Sequence, residues 1–309
     1  MKKISFVVLF LVASIFYLYT HNLNTSKAVL SCLIPFFLIS VVHGIRLNFY
    51  SNNQIGFYTA IKGHSLAALS TLFLPGRVSE LLKPWYFNKT KNMQYVDGFS
   101  IVIVERTCDV LALLLFSGLL IIFKFSEYGD YSNHLNRFLI IFIISLLFSF
   151  FLYKCISIRF FLKKIPVKKL RKYIIIIFRA LQNTIKNGFS FWPIFLTIFA
   201  WLSSWFTYWL FFYIYPGQSL TLIEALTVFL IATIGHAITI TPGGIGTFEG
   251  GITAILTHYS FSPSEALIIS FSLRLIGLLP NIAIFLLIFL FEKEKIKEIG
   301  TIKQITQSI

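Results

Sequence analysis

Charge is scarce in this chain. Asp, Glu, Lys and Arg make up 13% of its 309 residues, about half the share of an average soluble domain. With 57% hydrophobic residues, 35 Phe and a mean hydropathy of +0.80, that shortage excludes an ordinary soluble fold. Several apolar runs reach the roughly 20 residues that cross a bilayer as a helix. The runs are continuous rather than alternating, which argues against a β-barrel. Cysteine is nearly absent as well: Cys32, Cys108 and Cys155 are an odd number without metal-ligand spacing and read as packing residues. No HExxH, GxxxxGK[ST], GxSxG, paired CxxC or nucleotide fingerprint occurs, so no metal and no cofactor is expected. The largest loop, about 154–189, is too short for a soluble catalytic domain. Any chemistry would have to take place among the membrane helices.

Acidic residues are the scarcest ionisable group, and none lies between Asp130 and Glu224. The same region carries Lys154, Arg159, Lys163, Lys164, Lys168, Lys169, Arg171, Lys172, Arg179 and Lys186. A net charge of +15 distributed in this way follows the positive-inside rule for a cytoplasmic loop facing anionic lipid, and no nucleic-acid partner is expected. Part of the loop, KKLRKYIIIIFRALQNTIKNG, has the pattern of a basic amphipathic helix lying at the interface.

The apolar pattern predicts an all-α polytopic membrane protein: about six full spans plus two Pro-Gly-broken helical hairpins. Residues 4–20 read as an uncleaved first span, since the run continues through Tyr19 without a cleavage site. A second span at about 28–46 ends at Arg46 before a polar turn over 47–56. Two shorter pieces, about 57–74 and 77–88, are split at Pro75-Gly76. Spans follow at about 96–123, 137–153 and 190–215, the last carrying Trp192, Trp201, Trp205 and Trp209, which read as lipid-facing or interfacial. A second pair of pieces, about 222–240 and 245–258, is split at Pro242-Gly243-Gly244, and a last span occupies about 264–290. The whole chain is expected to form one integral membrane domain, with repeat units at about 28–123 and 190–290 flanking the basic loop. Both termini should be cytoplasmic in a multi-pass protein of the cytoplasmic membrane. The broken elements can be re-entrant hairpins or pairs of full spans, because the parity of crossings is the same.

The stretch from His64 to Asp109 holds Arg77, Glu80, Lys83, Glu105, Arg106 and Asp109 in or beside apolar runs. Each ionisable group costs roughly 2.5–3.5 kcal/mol at the centre of a membrane helix, so such residues point to a site. LPGRVSELLKP is echoed by TPGGIGTFEGG: Pro-Gly at a break, a β-branched residue three positions later, then Glu80 or Glu249. Arg106 lies 31 residues after Pro75, and Arg274 lies 32 after Pro242. His64 and His236 precede the breaks and read more readily as packing residues than as proton carriers. The charge distribution turns the two units to opposite sides, the inverted repeat that transporters use around a midplane site.

The residue types fit an anionic ligand. Arg77, Arg106 and Arg274 offer guanidinium forks for phosphate oxygens, and Glu80, Glu105, Asp109 and Glu249 balance them when no ligand is present. Pro75, Gly76, Pro242, Gly243, Gly244 and Gly246 mark the helix breaks, and Gly243, Gly244 and Gly246 allow close backbone approach. A helix restarting after a break turns its amides toward an anion. Arg77 and Lys83 can also snorkel to the interface. Arg106 and Arg274 should approach one central cavity.

At these residues the sequence resembles the lysylphosphatidylglycerol synthase transmembrane region family of flippase-like integral membrane proteins. LPGRVSELLKPWYF, VIVERTCDVLALLL and TPGGIGTFEGGITAIL followed by ISFSLRLIGLLP carry the resemblance, over about residues 5–290. It implies an integral membrane fold with re-entrant elements. In fused members a soluble aminoacyl-transferase domain makes lysyl-phosphatidylglycerol and the membrane part translocates it; stand-alone members are associated with polyprenyl-linked sugars. Here the chain ends just after the last span, so lysyl transfer by this polypeptide is not expected and a transporter is favoured over an enzyme. The expected activity is flipping of a phospholipid or polyprenyl-phosphate-linked lipid, its partners being anionic phospholipid or polyprenyl phosphate and a separate glycosyl- or aminoacyl-transferase. The alternatives are an intramembrane transferase with Glu105, Asp109 or Glu249 as general base, or a membrane scaffold for a glycosyltransferase.

Overall fold

The computed structural model describes residues 23–74, 78–125, 168–237 and 241–291. The expected spans at 4–20 and 137–153, the break residues Pro75, Gly76 and Arg77, Cys155 and the charged tail lie outside the described residues. In chain order the helices are α1 (Leu23–Tyr50), α2 (Phe57–Ser70), α3 (Leu82–Lys91), α4 (Tyr95–Phe125), α5 (Lys168–Gly188), α6 (Phe191–Ile214), α7 (Leu222–Ala237), α8 (Thr247–His258) and α9 (Pro263–Phe291). Short 3-10 turns at Val78–Leu81 and Pro242–Gly244 precede α3 and α8. There is no strand among the described residues. Four helices, α1, α4, α6 and α9, are long and apolar enough to cross a membrane, and α7 is a shorter apolar helix.

Helix α1 continues one turn past the expected end at Arg46, to Tyr50. The reason is visible in its register: Arg46, Leu47 and Tyr50 are all fully buried, so the polar residues that suggested a turn sit on a packed helix end. Asn48 then bonds the Asn53 side chain at 2.7 Å, closing the turn that leads to α2. Gly44 sets the crossing of α1 and α2, since a Cβ there would lie 2.4 Å from the Ile61 Cα.

Both two-piece elements are interrupted where the prolines predict. Helix α2 ends at Ser70, and the next element among the described residues begins at Val78. Helix α7 ends at Ala237, and Gly243, Gly244 and Gly246 take φ values of +70°, +64° and +95° before α8 begins. These left-handed conformations are open to glycine at little cost, which explains the PGGIG run.

Two apolar cores hold the helices. One joins α6, α7, α8 and α9 to α1 and α4 through Phe211, Phe212, Phe248, Ile252, Leu273 and Ile276. The other packs Leu47, Tyr50, Phe87, Ile101 and Val104 between α1, α3 and α4. The basic segment 168–188 is the helix its pattern predicts, and α5 packs on α4 and α1 through Ala180, Thr184 and Gly188 at four-residue spacing. A Cβ on Gly188 would lie 2.5 Å from Val104. Arg179 and Lys186 of α5 are exposed. Of the four tryptophans in α6, Trp192 faces outward, but Trp201 is buried between Phe116 and Phe229, with ring centroids 5.7 and 5.5 Å away. The expected lipid-facing cluster is therefore divided, because Trp201 falls on the face of α6 that packs on α4 and α7.

Candidate functional site

Three cations and three carboxylates form one network around α4. Glu105 is wholly buried and takes Lys83 Nζ at 2.6 Å, Arg106 Nη2 at 2.9 Å and Arg46 Nη2 at 3.3 Å. Asp109, one helical turn on, takes Arg46 Nη1 at 2.7 Å and Arg106 Nη1 at 3.3 Å. Glu80, from the 3-10 turn before α3, pairs with Lys83 at 2.7 Å and with Arg106 at 3.6 Å. Arg46 also donates to Thr197 Oγ1 of α6 at 3.1 Å. The i, i+4 spacing of Glu105 and Asp109 puts both on one face of α4, and α1 and α3 bring their cations to that face.

Burial separates the cations. The side chains of Arg46 and Lys83 are 0% and 1% exposed, whereas that of Arg106 is 31% exposed. Lys83 therefore does not snorkel; it is held inside. Desolvating ions is costly unless the geometry satisfies them, and removing one partner of a buried pair typically costs ~3–5 kcal/mol. Arg46 and Lys83 thus fix the network, and Arg106 is its accessible edge.

That edge lines a cavity of about 310 Å³ between α1, α4, α6 and α7. Its polar lining is His43, Arg106, Asp109, Ser204 and Thr233, facing Leu113, Trp201 and Phe229. A volume at the lower end of the roughly 300–1,000 Å³ usual for ligand sites, lined by charged and apolar side chains together, suits an amphipathic ligand.

The second break is organised by Arg274 of α9. Its guanidinium pairs with Glu249, donates to the Gly243 carbonyl at 2.7 Å and the Gly244 carbonyl at 3.1 Å, and lies 4.7 Å over the Phe248 ring. Glu249 in turn accepts the Gly246 N–H at 2.8 Å. The first turn of α8 thus already holds an anion, its own Glu249, at the position where an external one was expected. Arg274 is 3% exposed and is not among the residues lining the cavity, so only Arg106 of the two arginines reaches it. The structure brings Glu80, Glu105, Arg106 and Asp109 together, joins Glu249 to Arg274 at Gly243 and Gly244, and leaves these as two clusters. Arg77 lies outside the described residues.

Sequence reading missed Arg46, His43, Thr197, Ser204 and Thr233 as site residues. A signal for the first two existed: His43, Arg46, Leu47 and Tyr50 follow the i, i+3, i+4, i+7 pattern of one buried helical face.

The segments around the two breaks also share local features. Gly63-His64 and Gly235-His236 precede the two breaks; a Cβ on Gly63 would lie 2.6 Å from the Phe87 ring, and one on Gly235 would lie 3.0 Å from the Phe248 Cα. In each unit the Glu after the break pairs with the Arg of the following long helix, Glu80 with Arg106 and Glu249 with Arg274. Residues 4–284 match the lysylphosphatidylglycerol synthase TM region. The chain belongs to that family. No curated protein and no solved structure matches it. Membership gives this family member a membrane setting and a role connected with membrane lipids, and the two ion clusters fall in the motif regions on which the resemblance rested.

Proposed function

We propose that the protein translocates a phospholipid or a polyprenyl-phosphate-linked lipid across the cytoplasmic membrane. The headgroup passes through the cavity beside Arg106 while the acyl or prenyl chains stay in the bilayer. The observation that carries this reading is the cavity itself, to which α4 contributes Arg106, Asp109 and Leu113 while α6 and α7 contribute Trp201 and Phe229. A guanidinium can present two parallel donors to phosphate oxygens, and Arg106 can do so by exchanging its longer contacts to Glu80 and Asp109, at 3.6 and 3.3 Å.

The paired Gly-His and Glu–Arg features support an inverted repeat of two re-entrant hairpins, whose broken tips would serve as pivots. In this reading Arg274 and Glu249 hold the second tip closed and Pro242, Gly243, Gly244 and Gly246 let it bend; Pro75, Gly76 and Arg77 match them in the sequence of the first. The transferase alternative is weaker, since a general base needs a free lone pair aimed at substrate, whereas both oxygens of Glu105 hold cations.

Reconstitution into liposomes with fluorescent phospholipid, read by dithionite quenching of the outer leaflet, tests the proposal. Wild-type protein should give leaflet exchange, and Arg106→Ala should slow it at least about tenfold, the equivalent of ~1.4 kcal/mol. Equal rates in protein-free vesicles, wild type and Arg106→Ala would sink it.

A further inference from the structure

One half-buried pair near the site has no part in the ion network. The imidazoles of His43 on α1 and His64 on α2 stack with centroids 5.3 Å apart and planes 15° from parallel. The crossing at Gly44 and Ile61 places them there, since His43 adjoins Gly44 and His64 lies one turn beyond Ile61. His43 lines the cavity with Arg106 and Asp109. His64 lies behind it, and its Nδ1 is buried without a hydrogen-bond partner. Ring stacking alone would be satisfied by two aromatic residues; an unpaired ring nitrogen beside a cavity wall instead leaves a lone pair that can take a proton once a nearby anion offsets the added charge.

The surroundings define when it would. His43 faces Arg46 on its own helix, His64 on α2, and Asp109 and Glu105 on α4. His64 faces Lys83 of α3, Glu105 and Arg106 of α4, and Arg46 of α1. Helix α6, packed on α1, adds the hydroxyls of Thr197 and Ser204. The charge of Arg274 on α9, which packs on both α1 and α2, is paired with Glu249, and the exposed Arg179 and Lys186 of α5 lie on its outward side. With three cations matched to three carboxylates, an added proton finds no unmatched anion. An anionic headgroup on Arg106 supplies one, within reach of the His43 ring.

We infer that the stacked His43–His64 pair is a proton-binding site, so that an anionic lipid headgroup entering the cavity brings one proton with it. The inference rests on the headgroup site proposed above. The step is a simple acid–base addition: a solvent proton joins a ring-nitrogen lone pair as the anion arrives and returns to solvent when the anion leaves. Two positive rings 5.3 Å apart would repel, so the pair holds one proton rather than two and titrates as a unit.

Isothermal titration of the full chain in detergent with dioctanoyl-phosphatidylglycerol tests this, run in two buffers of different ionisation enthalpy between about pH 6 and about pH 8. Proton uptake on binding makes affinity rise as pH falls, by up to about tenfold per pH unit where the bound protein holds the proton and the free protein does not. Wild type should show this slope with buffer-dependent heat equivalent to as much as one proton, and His43→Gln and His64→Gln should bind with a flat profile. A flat wild-type profile, with binding still abolished in Arg106→Ala, overturns the proton site and leaves the headgroup site standing. A slope that survives in both histidine variants overturns the assignment to this pair. No binding by wild type at any pH overturns the headgroup site and the proton site together.

Discussion

The backbone N–H of Gly243 donates a 2.7 Å hydrogen bond to the carbonyl of Thr71. One residue belongs to the break after α7 and the other to the end of α2, so the two interrupted elements meet at their broken ends. The contact is backbone to backbone and made at a positive φ of +70°; an added Cβ would lie 3.6 Å from the Leu72 Cα, an ordinary contact distance. A backbone donor in a membrane interior must find a partner, and here each break provides one for the other.

Gly243→Ala should therefore leave room for its methyl group but strain the backbone, whose φ is +70°. A left-handed conformation costs an L-residue about 1–2 kcal/mol. Thermal unfolding in detergent should detect that loss, and Gly243→Pro, which also removes the N–H, should lose more. Equal stability of all three proteins would show that the contact does not hold the breaks together.

Arg46 and Arg106 should separate in their effects. Arg46→Ala leaves Glu105 and Asp109 without their most buried partner and should cost ~3–5 kcal/mol of stability. Arg106→Ala removes a side chain that is 31% exposed and should cost less stability while slowing lipid movement by the same factor of at least about ten. Unfolding midpoints set against leaflet-exchange rates will check this, and the reverse ordering would assign the ligand contact to Arg46.

Replacing Arg274 with Lys keeps the charge and loses the fork. An ammonium cannot reproduce the planar arrangement that reaches Glu249 and the carbonyls of Gly243 and Gly244 together. Arg274→Lys should lose ~1–3 kcal/mol for the carbonyls left unsatisfied, and limited proteolysis should cut sooner near 238–246. Unchanged stability and cleavage would mean that the guanidinium is not what fastens the break.

Glu105→Gln should be as damaging as Arg46→Ala. Three cations would then face only Glu80 and Asp109, and the uncompensated charge should destabilise the fold by ~3–5 kcal/mol. Unfolding followed by intrinsic fluorescence is the check, and a neutral outcome would mean water reaches the network freely.

Much of this was legible because hydrocarbon punishes charge and proline visibly. Glu105, Arg106 and Asp109 stand out in an apolar run, and Pro242 followed by glycines marks a break wherever it falls. Arg46 was harder to place. It sits beside Asn48, Ser51 and Asn52, and only packing of Leu47 and Tyr50 shows that the helix continues past it. Lys83 was ambiguous for a different reason, since a lysine near a helix end can reach water or turn inward, and its acceptor Glu105 is 22 residues away. The division between Arg106 at the cavity and Arg274 at the break could not be read either. Both are arginines at matching spacing, and which carbonyls or cavities they meet depends on how α9 packs against the Pro242–Gly244 turn.

The even count of cations and carboxylates around Glu105 bears on how this membrane element would respond to voltage. A set of helices whose buried charges cancel carries no gating charge, so a transmembrane potential does almost no work in moving it. A singly negative headgroup accompanied by one proton would cross in the same electrically silent way. The driving force would then come from lipid concentration and pH alone, and the potential would not pull on either.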